Sequence, residues 1–337
     1  MKFPNLSVLL RAQNGLGYLI IISIQFGVQP LLVKQFIDKQ CVTSSVVLSA
    51  ELAKIVGCLF IMFSDDTAER CFRNWKLQDC LLAAGIPSVT YLIQNFCVQV
   101  AYQNLDGVVF NVLNQSKVLF TAFFSFLLNG RTQSLFQCIA LVLVTAGGIL
   151  VSLPGGSSEA HQENRAWGLV CAIFASGLSG FGSGITEWAL QKRGRNSFLL
   201  SLELATMGCL ILVTTLLLGL SPDSVRMKEF GFFAGWRATT VIPVLTQGLA
   251  GIIVGIVTQV AGGVRKVMAT ICGLILTCLL QQVLLGLQLS WLVLAAVPLV
   301  AGGIYLHSAD PDDLQDLLRH VRRAVEAGYP RTQVLAK

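Results

Sequence analysis

The sequence is poor in charge. Only 12% of its 337 residues are Asp, Glu, Lys or Arg, against 54% hydrophobic residues and a mean hydropathy of +0.69. A soluble domain carries about a quarter charged residues, so the shortfall excludes a water-soluble globular domain and leaves a chain that crosses a membrane many times. Histidine is scarcer still: His161, His307 and His320 are the three, without an H-E-x-x-H, and no metal site is indicated. The ten cysteines include no C-x-x-C and no paired spacing, which removes a disulfide framework and leaves small apolar packing residues. There is no G-x-x-x-x-G-K-[ST], so ATP drives nothing here, and no Ser-His-Asp set is placed to converge. Neither an enzyme nor a cofactor is expected. The net charge of +6 sits in connecting segments and reports topology rather than nucleic-acid binding.

Ten apolar runs are present, near 16–33, 43–63, 78–102, 105–128, 134–153, 167–190, 198–220, 240–262, 266–287 and 289–307, each read as one helical span. The first is too long for a signal-peptide core and lacks a small-residue cleavage site, so it is read as retained. A polar linker at 154–166 divides the chain, and a charged tail, 308–337, follows the last span. Within the tail, Leu314, Leu317, Leu318 and Val321 share one face of an expected short amphipathic helix.

Placing the N-terminus, the connections after even-numbered spans and the tail on one side gathers sixteen lysines and arginines there. The other side has six, Lys34, Lys39, Arg165, Arg226, Lys228 and Arg237, which with Lys54 and Lys117 inside spans accounts for all 24. Both termini are therefore expected in the cytosol.

The two halves resemble each other. Ser49-Ala-Glu-Leu-Ala53 recurs as Ser201-Leu-Glu-Leu-Ala205, Lys117-Val as Lys266-Val, and Thr145-Ala-Gly-Gly-Ile149 as Val300-Ala-Gly-Gly-Ile304, at offsets of 152, 149 and 155 residues. A repeat of five spans, being odd, inserts its copies in opposite orientation. The expected fold is an all-α membrane protein of ten transmembrane helices in two inverted five-helix repeats, 1–153 and 167–307. Such folds bind their substrate at the repeat interface.

Polar residues inside the apolar runs point to that interface. Lys117 lies mid-run, where a lysine costs roughly 2.5–3.5 kcal/mol on insertion scales. Lys266 follows Gly262-Gly263, which interrupts the helix, and free amides at a helix start beside Arg265 and Lys266 favour phosphate. Glu51 and Lys54, at i and i+3, face the same way and neutralise each other. Glu203, the repeat mate of Glu51, has Thr206 where the lysine would stand, and either Lys54 or a wet cavity is open to it. Tyr91, Gln94, Asn95 and Gln99 form a polar stripe along span three, continued in span four by Asn111, Asn114, Gln115 and Ser116. Two readings stand for the stripe: hydrogen bonds between helices, or hydrogen bonds to a base or sugar. Two also stand for Gly180 and its neighbours in Ser176-Gly-Leu-Ser-Gly-Phe-Gly-Ser-Gly184, namely close helix packing or close approach of a ligand.

Together, Glu51-x-x-Lys54, Pro87-x-x-x-Tyr91-x-x-Gln94-Asn95, Asn104-Leu105-Asp106, Phe110-x-Val112-x-x-Gln115-x-Lys117 and Gly262-Gly263-Val-Arg-Lys266 resemble the nucleotide-sugar transporters of the drug/metabolite superfamily. The resemblance covers nearly all ten spans. It falls in the branch of CMP-sialic acid and UDP-galactose carriers, and Leu113-Asn-Gln-Ser-Lys-Val118 and Gly231-Phe-Phe-Ala-Gly-Trp236 are similar to plant endoplasmic-reticulum carriers of UDP-N-acetylglucosamine and UDP-N-acetylgalactosamine.

The resemblance implies exchange of a cytosolic nucleotide sugar for a lumenal nucleoside monophosphate across a Golgi or endoplasmic-reticulum membrane. Lys117 and Lys266 would hold phosphate, Tyr91, Gln94 and Asn95 the nucleotide end, and Glu51 and Lys54 the cavity wall. Asn114, Gln115, Gly180, Ser201 and Glu203 complete the expected nucleotide and sugar contacts. Asn114 stands where the sialic acid and galactose carriers have an aromatic residue, and the tail lacks a di-lysine signal. The expected partners are the nucleotide sugar, the monophosphate and membrane lipid, without nucleic acid; oligomeric state is open, a homodimer included. Alternatives are a carrier of CMP-sialic acid or another phosphorylated anion, or a non-transporting membrane protein.

Overall fold

The computed structural model describes residues 15–38, 40–73, 75–153, 164–221, 223–286 and 288–309. Most of the expected linker (154–163), the tail helix, Lys39, His161 and His320 lie outside the described residues. Among the described residues all regular structure is helical.

Among the described residues, nine segments are long and apolar enough to cross a membrane. They are α1 (Gly15–Phe36), α2 (Thr43–Ser64), α4 (Leu77–Asn104), α7 (Leu135–Ser152), α8 (Arg165–Lys192), α9 (Ser197–Leu217), α11 (Ala238–Ala261, opening with one 3-10 turn), α12 (Gly263–Leu285) and α13 (Trp291–Ser308). Short α3 (Ala68–Arg73) and α10 (Asp223–Phe230) sit in connections. Phe60, Phe63, Leu217 and Trp291 are exposed, as lipid-facing side chains of such helices would be.

The apolar run at 105–128 forms two helices instead of one: α5 (Gly107–Asn114) and α6 (Lys117–Asn129). Asp106 caps the start of α5 by accepting from the Val108 amide at 3.1 Å. At the junction the amides of Ser116, Val118 and Leu119 each bond the carbonyl three residues back, at 3.0, 3.1 and 3.0 Å. A tight turn of this kind replaces the i to i−4 ladder and breaks the rod. Lys117 thus opens α6 rather than sitting in a continuous helix. Lys266 is placed alike, in the first turn of α12, because Gly262 adopts φ +87° between α11 and α12.

The helices pair in a regular pattern. α1 packs on α11 and α12, and α8 packs on α4 and on α5 and α6. α2 packs on α9, α7 on α13 and α6 on α12. The α7–α13 crossing uses the two repeated Ala-Gly-Gly motifs against each other. A Cβ at Gly303 would lie 2.9 Å from the Ala140 carbonyl oxygen, and one at Gly147 3.3 Å from that of Ala296. Only glycine lets these backbones approach so closely. Val118, Val144, Ile271 and Val300 fill the core beside this crossing.

One end of the bundle is covered by the segment between α9 and α11. Asp223 accepts from the Ser44 amide at 2.7 Å, Trp236 Nε1 donates to Ser45 Oγ at 2.8 Å, and Arg237 Nη2 donates to Asp38 Oδ2 at 2.9 Å. Gly235, at φ +74°, lies directly on the Gln40–Cys41 backbone.

Candidate functional site

A cavity of about 500 Å³ opens between α2, α4, α8, α9, α11 and α12. Its floor is formed by Thr186, Ser201, Gly255 and Lys266, and its walls rise past Glu51, Lys54, Tyr91 and Asn95 to Val47 and Thr215. Val47 and Thr215 lie near Thr43 and Leu217, at the end covered by the α9–α11 segment. The cavity therefore reaches toward that end and stops short of the other.

Helix geometry places each of these groups. Glu51 and Lys54 lie one turn apart on α2, and Lys54 Nζ donates to both Glu51 oxygens at 2.8 and 2.7 Å, so the pair enters the cavity wall neutral. Space for them comes from glycine. A Cβ at Gly251 would collide with the Lys54 stem, one at Gly182 would meet the Tyr91 ring at 2.9 Å, and one at Gly255 would meet Ser201 Oγ. Lys266 Nζ donates to Ser183 Oγ at 3.0 Å. None of the four ion pairs among the described residues includes Lys266 or Lys117.

Six residues singled out in the sequence thus line one cavity: Glu51, Lys54, Tyr91, Asn95, Ser201 and Lys266. The others lie around it. Lys117 is half-buried at the start of α6 and does not line the cavity. Gln94 has a buried Oε1 without a partner among the described residues. Asn114 ends α5. Gln115 is buried at the helix break, where its Nε2 donates to Ser152 Oγ at 3.2 Å and its Oε1 stays unpaired. Gly180 sits where α8 crosses α6, and a Cβ there would come within 2.6 Å of the Phe120 carbonyl carbon and 2.8 Å of the Thr121 nitrogen.

Glu203 finds neither Lys54 nor the cavity. It accepts from Arg195 Nε at 2.8 Å and Trp75 Nε1 at 2.7 Å, with Arg195 Nη2 as a further close donor. The sequence reading missed these partners because Arg195 precedes the helix and Trp75 is 128 residues away. It also missed Glu187, 1% exposed on α8, with Arg131 Nη1 3.4 Å from its Oε1. A signal was available: Glu187 is a carboxylate in an apolar run, the same anomaly that singled out Lys117.

The chain is similar to known proteins over most of its length. The nucleotide-sugar transporter family model matches residues 16–308. The UDP-N-acetylglucosamine transporter ROCK1 of Arabidopsis thaliana is 36% identical over 301 residues, covering 88% of this chain and 92% of the relative. The UDP-N-acetylglucosamine transporter of Rattus norvegicus is 28% identical over 80% of this chain and 86% of its own, and the UDP-galactose translocator of Homo sapiens 29% over 80% and 70%. One crystal structure superposes with a TM-score of 0.59 at 14% identity, covering 87% of this chain and 96% of that one, a likeness of fold alone. With a match over nearly the whole chain, the protein is a multi-pass membrane carrier rather than an enzyme, and it belongs to the nucleotide-sugar transporter family.

Proposed function

We propose that this carrier exchanges a UDP-sugar, with UDP-N-acetylglucosamine first and UDP-galactose second in expectation, for a nucleoside monophosphate by alternating access in a Golgi or endoplasmic-reticulum membrane. The observation that carries the reading is Lys266, a cation without an anionic partner among the described residues, at the floor of a cavity of about 500 Å³ whose largely apolar wall carries a few polar groups, Tyr91, Asn95 and Ser201 among them. That volume falls within the ~300–1,000 Å³ range of small-ligand sites. Lys266 and the nearby Lys117 supply charge for phosphates, while Tyr91, Asn95 and Ser201 offer hydrogen bonds to the remainder of the ligand. The names of the relatives favour uridine.

Helix pairing supports an inverted repeat of ten spans, with α5 and α6 together serving as the fourth. Exchanging each span for its mate five along converts the α1–α11 contact into α8–α4, and α1–α12 into α8 with α5 and α6, while α2–α9, α7–α13 and α6–α12 map onto themselves. Repeats 1–153 and 167–307 therefore face each other across the cavity. With both termini cytosolic, the Val47–Thr215 mouth opens to the lumen.

The test is thermal stability of the purified full chain against UMP, CMP, GMP, AMP and their sugar conjugates. UMP and one or more UDP-sugars raise the unfolding midpoint, by the equivalent of about 2.7 kcal/mol at a hundredfold excess over Kd. Lys117→Ala and Lys266→Ala remove that response. A selective response to CMP moves the substrate to a CMP-sugar; no response to any nucleotide in folded protein overturns the reading.

A further inference from the structure

A second cavity, of about 470 Å³, lies at the opposite end of the bundle between α6, α7, α8, α11, α12 and α13. It shares no lining residue with the central cavity, yet the two are separated by a single layer. On α8, Thr186 lines the central cavity and Glu187 the second; on α12, Lys266 lines the first and Arg265 the second. Between them the partition is tightly packed. A Cβ at Gly263 would lie 2.9 Å from Ser183 Oγ, which accepts from Lys266, and 3.2 Å from Glu187 Oε2.

The second cavity is built from polar groups left without partners. His307 is 5% exposed, and neither ring nitrogen has a hydrogen-bond partner among the described residues. Ser125 Oγ, Gln133 Oε1 and Glu187 Oε2 are unpartnered in the same wall. Buried polar atoms normally find partners, so this concentration marks a volume that holds polar matter. Its charges select the kind. Arg265 joins no ion pair among the described residues, and Arg131 reaches Glu187 only at 3.4 Å, through one nitrogen and one oxygen. A structural guanidinium–carboxylate pair is usually shorter and bidentate. This one leaves Arg131 free to take a second acceptor.

We propose that the second cavity is a phosphate-docking site on the far side of the partition, formed by Arg131, Arg265 and His307, and that Glu187 occupies Arg131 until a phosphate replaces it. Two guanidiniums and an imidazole converging on one volume match the oxygens of a diphosphate better than any neutral solute. Glu187 stands in for one of those oxygens, and on release from Arg131 it is left beside Lys266, across the partition. The site is thus linked to the central cavity by a single carboxylate. The choice of phosphate rests on the transport reading; the existence of the site does not.

The test uses inorganic pyrophosphate as the probe and thermal stability of the purified full chain carrying Lys117→Ala and Lys266→Ala, which removes the central phosphate contacts. Pyrophosphate still stabilises this protein. Adding Arg265→Gln raises the half-saturating concentration about tenfold or more, as expected for loss of one charge-assisted phosphate contact. Adding Glu187→Gln instead lowers it several-fold, because Arg131 no longer has a competing anion. Should Glu187→Gln not fold, Arg131→Gln replaces it and weakens pyrophosphate as Arg265→Gln does. Absence of stabilisation in the folded double-lysine variant, or indifference to Arg265, overturns the site. A wild-type chain that answers pyrophosphate through Arg265 but no nucleotide retires the transport reading and leaves this site standing.

Discussion

Glu51 and Glu203 stand at the same place in the two similar segments Ser49-Ala-Glu-Leu-Ala53 and Ser201-Leu-Glu-Leu-Ala205 and differ in what they hold. Glu51 takes its lysine from the next turn and keeps it in the cavity wall, whereas Glu203 accepts three donors, two from Arg195 and one from Trp75, away from the cavity. Both Glu203 and Arg195 are largely buried, at 5% and 14% side-chain exposure. Removing one partner of such a pair strands the other and costs about 3–5 kcal/mol. Glu203→Gln is therefore expected to lower the unfolding midpoint by several degrees or more and to leave KM for substrate unchanged in the protein that folds. A raised KM with unaltered stability would instead put Glu203 in contact with ligand. The difference in legibility between the two glutamates has a plain origin. An i, i+3 pair can be seen in a string of letters, but a partner eight residues upstream across a helix start, or on another helix altogether, cannot. Glu187 is a different case: as a carboxylate in an apolar run it was visible in the sequence, and only its partner was not, since Arg131 lies on a different segment 56 residues away in sequence, beyond any local spacing rule.

At the scale of helices, hydropathy and the glycine pairs announced most of the bundle, because length and apolarity alone decide what can cross a bilayer. The break at Gln115–Ser116 was less visible. Three consecutive polar residues, Asn114 to Ser116, were read as a side-chain stripe, whereas their backbone forms the turn that ends α5. The glycine-rich stretch Ser176–Gly184 likewise left packing and ligand contact undecided. At Gly180 the distances to Phe120 and Thr121 favour packing, with α8 and α6 in backbone contact. Gly180→Val accordingly should destabilise the empty protein by about 1–3 kcal/mol, the usual cost of overpacking, and reduce exchange by shifting α6 and its leading Lys117. Thermal unfolding without ligand distinguishes this from a binding role, in which stability would hold and only substrate affinity would fall.

The proposed exchange would be a property of the whole molecule. Lys117 and Lys266 open α6 and α12, which pack on each other, and neither joins an ion pair among the described residues. In the proposed cycle, reorienting the empty carrier would carry two lysines that lack an ion-pair partner through a closed, poorly solvated intermediate, while a bound phosphate offsets their charge beforehand. Each 1.4 kcal/mol of that difference is about a factor of ten in rate. Uptake of labelled UDP-N-acetylglucosamine into proteoliposomes preloaded with UMP should therefore exceed uptake into empty ones by about tenfold or more. Lys117→Gln, which removes one of the two charges, should narrow the gap by accelerating the empty return even as it weakens substrate binding. Equal initial rates in loaded and empty vesicles would show that the unfilled carrier crosses freely, and the two lysines would then be binding groups without a part in coupling.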